Sequence, residues 1–482
     1  MRRNNKKNNK NKIVQDGNLQ PGEETEINIT DINHQGQGIG HVNGLTVFVD
    51  QTVPGDCVKA VIQERKPKYA IGYMKELITS SSFRIEPDCP LASACGGCTL
   101  QMMDYAAQLI FKQNQIKNAL KRIGGISLIE DEVQPVIGME NPWHYRSKVQ
   151  FPVSGDWNQP KIGFFASRSH MVVDGDECLI QPSVCDAIRK TVRAHIRRWR
   201  LDPYREEDHQ GLIRHLVIRA GFATGDLMVI LVINGDGLPG QDELIQNLQT
   251  TIAENQSAGL PEQRLRSFYL NVHRTPTNVI LSEDCRLQFG DPYIEENILG
   301  LTYRISPLAF FQVNPTQTEV LYKKIIELAD LSGQDQVLDL YCGTGSITLQ
   351  LARAAGWVLG IESHPEAIRD AKINAEINNI TNVEFITGKV EDSLPEWLTQ
   401  GLKIDLVVLD PPRKGCEPKV IEALQTLLPP RIIYVSCNPA TLARDLSLLS
   451  SSGYKVQYIQ PVDMFPWTGH VETVVLMSRV KE

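Results

Sequence analysis

Cys437 stands in Ser436-Cys437-Asn438-Pro439, directly after the apolar run RIIYVS. Glu472 lies in FPWTGHVETVVLM and starts the last apolar run of the chain. A thiol and a carboxylate of this kind suit covalent chemistry on an unreactive ring carbon. A thiolate adds to one carbon, the neighbouring carbon becomes an enolate-like nucleophile, and a base later removes its proton so that the thiol can leave. His470 is a competing base two residues earlier. A lone cysteine is more often a small buried hydrophobe, so the pair needs a group donor beside it.

QVLDLYCGTGSITLQL, residues 336–351, reads as a buried strand, a glycine turn and a helix. Gly343 and Gly345 let a ligand approach the backbone closely. About 20 residues on, VLGIES places Glu362 at a second strand end, where a carboxylate can accept from both ribose hydroxyls. A nicotinamide-binding turn needs a third glycine, yet position 348 is Thr. No pyrophosphate needs cradling when the ligand is S-adenosylmethionine, so the turn favours that methyl donor. IDLVVLD ends on Asp410 and runs into Pro411-Pro412-Arg413-Lys414-Gly415, a stiff loop where α/β sheets bind ligands.

These strand ends need a doubly wound sheet, and alternating helix and strand patterns from Phe311 onward supply one. The 482 residues leave room for further domains. Residues 18–80 alternate apolar and polar (EINITDI, LTVFVDQ, CVKAVI), with glycines at 36, 38, 40 and 44, which predicts a small OB-like barrel. Lys66, Lys68 and Tyr69 on it could supply charge and stacking to a nucleic acid. Leu109, Ile116, Leu120 and Ile123 fall on one helical face, closed by Gly124-Gly125. Residues 133–306 are strand-rich and predict an α+β central domain. The formal charge is −8, from 49 basic and 57 acidic residues, so any nucleic-acid contact must use local patches. One patch is the tail at 1–17, which opens MRRNNKKNNKNK and reads as disordered. The tail has no apolar core and is not expected to act as a signal peptide, and with no run of about 18 apolar residues no membrane span is expected. A cytoplasmic monomer without a membrane partner is expected.

Among ten cysteines, Cys89, Cys95 and Cys98 follow C-x5-C-x2-C. Clustered thiols in a reducing compartment point to metal, either zinc or iron–sulfur. The x5 gap argues against a radical S-adenosylmethionine enzyme.

Together FQVN (311–314), DLYCGTG (339–345), DPPRKG (410–415), SCNP (436–439) and FPWTGHVE (465–472) resemble the RNA uracil-C5-methyltransferases. The match is to the branch with an N-terminal TRAM domain and an iron–sulfur cluster, and it covers residues 18–482. The resemblance implies a class I (Rossmann-like) methyltransferase domain at 99–132 and 307–482, and a TRAM barrel at 18–80. It further implies a central iron–sulfur and RNA-binding domain at 81–98 and 133–306. It makes Cys437 the nucleophile on carbon 6 of a uracil and Glu472 the base. Gln312, Tyr341, Glu362 and Asp410 become contacts to S-adenosylmethionine, with weaker contacts at Ser346 and near Lys389. Cys178 becomes the fourth ligand, beside Cys89, Cys95 and Cys98, of a [4Fe-4S] cluster. The substrate it implies is RNA, 23S rRNA in this branch. Two rivals remain: an amino-group methyltransferase using Asp-Pro-Pro-Arg without a thiol, and an RNA-binding protein with a vestigial catalytic half.

Overall fold

The computed structural model describes residues 19–126, 133–398 and 403–480, and the basic tail lies outside them. They form two compact units: residues up to Pro87 with Thr99–Asp104, and Asp88–Cys98 with Tyr105 onward.

In the first unit, β1 (Glu24–Ile32), β2 (Gly38–Val42), β3 (Leu45–Asp50), β4 (Cys57–Arg65) and β5 (Tyr69–Thr79) close into a barrel of order β1-β2-β3-β5-β4. Period-two alternation turns Ile27, Ile29, Val47, Val49, Val58, Ala60 and Ile62 inward. Gly40 is needed for closure, because a Cβ there would meet Ile27 Cγ2 at 2.2 Å and Asn28 O at 2.7 Å. Buried Asp56 accepts from Val53 N (2.7 Å), Ser81 N (2.9 Å) and Arg84 Nη2 (2.6 Å), pinning the chain that leaves the barrel. Of the residues expected to meet nucleic acid, Lys66 is paired with Glu64 at 2.5 Å, and Tyr69 packs edge-on to Phe48.

The second unit opens with α1 (Tyr105–Arg122). Ile116 and Leu120 are buried as expected, but Ile123 lies beyond the helix and is 53% exposed. The buried stripe instead includes Gln108, Phe111 and Lys112. A lysine takes a core position here because a carboxylate from the far end of the chain meets it.

Next come β6 (Lys148–Gly155), β7 (Pro160–Phe165), β8 (Val172–Asp174), α2 (Ser183–Trp199), β9 (Ile213–Ala220), β10 (Asp226–Ile233), α3 (Gln241–Glu254), β11 (Arg264–Val272) and β12 (Cys285–Gly290). Their strands make a mixed sheet of order β12-β11-β10-β9-β6-β7-β8. One face shares a core with α2 and α3. Val217, Met228 and Ile230, on the other, join the core of the second large sheet. A hairpin, β13 (Ile294–Ile298) and β14 (Leu301–Ile305), leads into that sheet.

Its elements are α4 (Pro315–Ala329), β15 (Gln336–Leu340), α5 (Ser346–Ala352), β16 (Trp357–Glu362), α6 (Pro365–Ile377), β17 (Val383–Thr387), α7 (Val390–Leu398), β18 (Leu406–Leu409), α8 (Pro418–Leu427), β19 (Arg431–Ser436), α9 (Pro439–Ser450), β20 (Tyr454–Val462) and β21 (Glu472–Arg479). The strand order is β17-β16-β15-β18-β19-β21-β20. The first five strands are parallel, and β21 runs against β19. Near-continuous Val, Ile and Leu runs fit strands covered on both faces. Among the described residues, no helix is long and apolar enough to cross a membrane.

Gly40→Ala should weaken the barrel by about 1–3 kcal/mol through overpacking at β1 and β2. The check is a lower urea midpoint for the N-terminal unit; an unchanged midpoint would mean the two strands can move apart.

Candidate active site

The sequence order reverses between β15 and β18, and the crevice outside that point is where an open α/β sheet binds its ligand. Tyr341 follows β15, Glu362 ends β16, Asp410 follows β18 and Cys437 follows β19. Glu472 reaches the same edge from the opposite direction. Ser436 pairs with Thr473 across the antiparallel β19–β21 ladder, so Cys437 and Glu472 are the next residues outward, facing each other. The reversed strand therefore sets a strand beginning among strand ends.

Local bonds fix each position. Ser436 Oγ donates to Asn438 O (3.2 Å) and accepts from Asn438 N (3.1 Å), clasping Cys437. Asn438 caps α9 by accepting from Ala440 N (3.0 Å), and its amide donates to Arg413 O (3.0 Å). The Asp410 loop and the Cys437 loop are thus one bonded unit. At β15, Tyr341 N and Cys342 N both donate to Ile361 O (2.9 and 3.1 Å), and Tyr341 holds φ +69°. Such a backbone is unusual for a bulky residue and concentrates at functional sites. Gly343, at φ +54°, faces open space where a Cβ would stand. Its N–H donates to Glu362 Oε2 (3.3 Å).

Electrostatics bind the group together. Burial pushes the Cys437 thiol up to about 11; Glu472 and Asp410 add to this, and Arg413 opposes it. Burial lifts Asp410 to about 7. Glu472 is held well above the carboxylate range by burial, then by Asp410, again against Arg413. Burial also raises Glu362, but hydrogen bonds from His364 and Ser363 outweigh it and hold this carboxyl below its ordinary value. The edge is acidic and short of cations, and suits a positively charged donor.

Gln312 is half-buried on the loop before α4. Asn314 caps α4 and donates to Met464 O (3.1 Å), linking FQVN to FPWTGHVE. The Ser346 hydroxyl is engaged by Tyr322 (2.6 Å), and Lys389 follows β17 beside the strand of Glu362. His470 lies edge-on to Phe465 at 6.1 Å.

Several features escaped the sequence reading. Arg413 is the cation of the group, and the motif spelled it out without giving it a role. Phe310, beside the FQVN motif, is 69% exposed, which a hydrophobic pattern does not reveal. Lys148 is opposite Arg219 across β6 and β9 and is pushed down to about 7 by burial, then by Arg219 and Arg146.

All ten cysteines are among the described residues, and none is in a disulfide. Cys95 accepts from Gly97 N (3.4 Å), and Cys178 N donates to Asp186 (3.2 Å). Burial raises the Cys178 thiol to about 12, with Cys98 and Cys95 also acting on it; Cys89 acts on Cys95 in the same sense. Among the described residues, no three His, Cys, Asp or Glu side chains are grouped so as to hold a metal ion.

A doubly wound sheet with a reversed last strand and a glycine turn answered by an acidic strand end defines a class I S-adenosylmethionine-dependent methyltransferase. The family model for tRNA (Uracil-5-)-methyltransferase matches residues 260–480, and the TRAM domain model matches 18–75. The chain is 44% identical over 450 residues to an uncharacterized RNA methyltransferase of Clostridium tetani, covering 93% of this chain and 95% of that one. It is 42% identical over 453 residues to a protein of the same description from Halalkalibacterium halodurans, covering 94% and 96%. It is similar to the solved tRNA (uracil-54, C5)-methyltransferase of Pyrococcus abyssi in complex with S-adenosyl-L-homocysteine. There the TM-score is 0.73 at 27% identity, over 94% of this chain and 100% of that one. The chain belongs to the RNA uracil-5-methyltransferase family and is an S-adenosylmethionine-dependent enzyme of it.

The charge balance around Cys437 can be read with a thiol alkylating agent. In donor-free protein the rate at Cys437 should climb about tenfold per pH unit between pH 7 and 10, because the thiolate fraction does. At pH 9, Asp410→Asn should speed the reaction and Arg413→Met should slow it. Equal rates in the two variants would show that neither charge reaches the thiol.

Proposed function

We propose that this enzyme methylates carbon 5 of a uridine in RNA through a covalent bond between Cys437 and carbon 6. The observation behind this reading is the register that sets Cys437 opposite Glu472 at the ligand-binding edge. The thiolate forms an S–C6 bond and pushes electron density to carbon 5. Carbon 5 takes the methyl group from the sulfonium, and neutral S-adenosylhomocysteine leaves. Glu472 accepts the proton from carbon 5, the C5=C6 double bond returns, and the S–C6 bond breaks.

Both groups must be ionised to act, and both are held in the protonated form by burial and like charge. The arriving sulfonium favours their anions, so the thiol is armed only beside the donor. Glu362 accepts from the ribose hydroxyls, and Tyr341, Gln312 and Asp410 complete the donor site. An inner uridine has to leave its stack to reach Cys437.

Cys89, Cys95, Cys98 and Cys178 hold a [4Fe-4S] cluster in this reading. Burial holds the Cys95 and Cys178 thiols above their ordinary value, and a cationic cluster beside them would favour their thiolates. These cysteines also favour 23S rRNA as substrate, the target in the branch the sequence resembles. The competing target is tRNA, on which the Pyrococcus relative acts by its description.

Cys437→Ala should lose methyl transfer by about 10³-fold or more and form no adduct with 5-fluorouridine RNA. Methyl transfer retained by that variant would exclude the covalent route. Mapping 5-methyluridine in a deletion strain should show a loss in 23S rRNA, whereas a loss confined to tRNA would reassign the substrate. Anaerobically purified protein should contain iron and sulfide; zinc in their place would reject the cluster.

A further inference from the structure

Glu472 follows a loop, Asp463–Val471, that is held mostly from outside the methyltransferase sheet. Lys112 Nζ donates to Asp463 Oδ1 (2.6 Å) and Phe465 O (3.1 Å), and both ions are fully buried. Tyr105 OH donates to Asp463 Oδ2 (2.8 Å), and Gln115 donates to Gly469 O (3.1 Å). Further along, Tyr145 OH donates to Pro466 O (3.1 Å). Trp467 donates to Pro142 O (2.9 Å) and stacks on Trp143, with ring centroids 4.3 Å apart and planes 19° apart. Trp467 holds φ +66°, a backbone that a large side chain adopts when its surroundings impose it.

The same aromatic group reaches the cysteine site. Tyr145, Ile180 and Trp467 form one buried cluster, and Cys98 and Cys178 pack against it. His144 N and Arg146 N donate to Leu179 O and Ile180 O (both 2.8 Å), binding the segment of Tyr145 to the loop of Cys178.

We infer that Trp467 and Tyr145 are positioning residues for Glu472, transmitting the geometry of the cysteine site to the catalytic base. This rests on reading Glu472 as the base. A base acts after methyl transfer, so a misplaced one has a distinct signature. The methylated adduct forms and is not resolved. A protein that is merely less folded forms less adduct and less product together.

The experiment uses the full-length protein with ordinary uridine RNA and saturating S-adenosylmethionine. In Tyr145→Phe, which loses one hydroxyl, and in Trp467→Phe, the denaturation-resistant RNA–protein adduct should rise about tenfold while turnover falls by about the same factor. The KM for the donor should stay within about twofold. Cys178→Ala should weaken the near-ultraviolet circular dichroism of the Trp143–Trp467 pair and raise the adduct in the same way. Parallel loss of adduct and product, or no change in their ratio, would overturn the inference. The parent protein separates this from failure of the underlying reading. If it forms no Cys437-dependent adduct with 5-fluorouridine RNA, the base assignment and the inference fall together.

Discussion

The buried pair of Lys112 and Asp463 is the constraint on which the strand-end edge carrying Cys437 and Glu472 depends. Burying two ions costs several kcal/mol each, and their attraction offsets this only when the remaining hydrogen-bonding capacity is filled. Here it is: Asp463 also accepts from Tyr105 OH and Phe465 N, while Lys112 also reaches Phe465 O. Removing one partner strands the other as an uncompensated charge. The pair therefore tolerates one arrangement of α1 against the end of β20, and the loop between β20 and β21 follows from it.

A second constraint is direction. In an all-parallel sheet the ligand edge consists of strand ends, and residues entering strands lie at the opposite edge. Turning β21 around brings Glu472, a first residue, to the working edge beside Cys437, a residue just past a strand end. Two residues 35 positions apart in the chain thus meet without a long loop between them. The bond between the loops of Asp410 and Cys437 adds rigidity at the same edge.

The strand-end residues were legible because covered parallel strands write themselves as apolar runs and their ligand-binding ends as polar breaks. Cys437, Asp410, Glu362 and Glu472 all sit at such breaks. The barrel was legible from alternation and from Gly40, whose reason is close approach. Lys112 was not legible: a lysine inside a helical pattern reads as a solvated face, and the carboxylate that neutralises it lies in a distant motif. The same blindness made Ile123 look like part of the buried stripe. Trp467 stood within a recognised motif, yet its partners Pro142, Trp143 and Tyr145 come from the stretch read as the central domain, which no pattern ties to this edge. Nothing in the local sequence could show the cationic grouping of Lys148, since register across β6 and β9 creates it.

The distance along the chain between Lys112 and Asp463, 351 residues, has a consequence for how the protein is made. At about 5–20 residues per second, a ribosome delivers Asp463 roughly 20 to 70 s after Lys112. Throughout that interval α1 has no carboxylate for its core lysine, and the cation must stay in water. The helix cannot dock early and hold a half-built sheet in a wrong arrangement. Final assembly of this edge of the sheet waits until Asp463 has been synthesised.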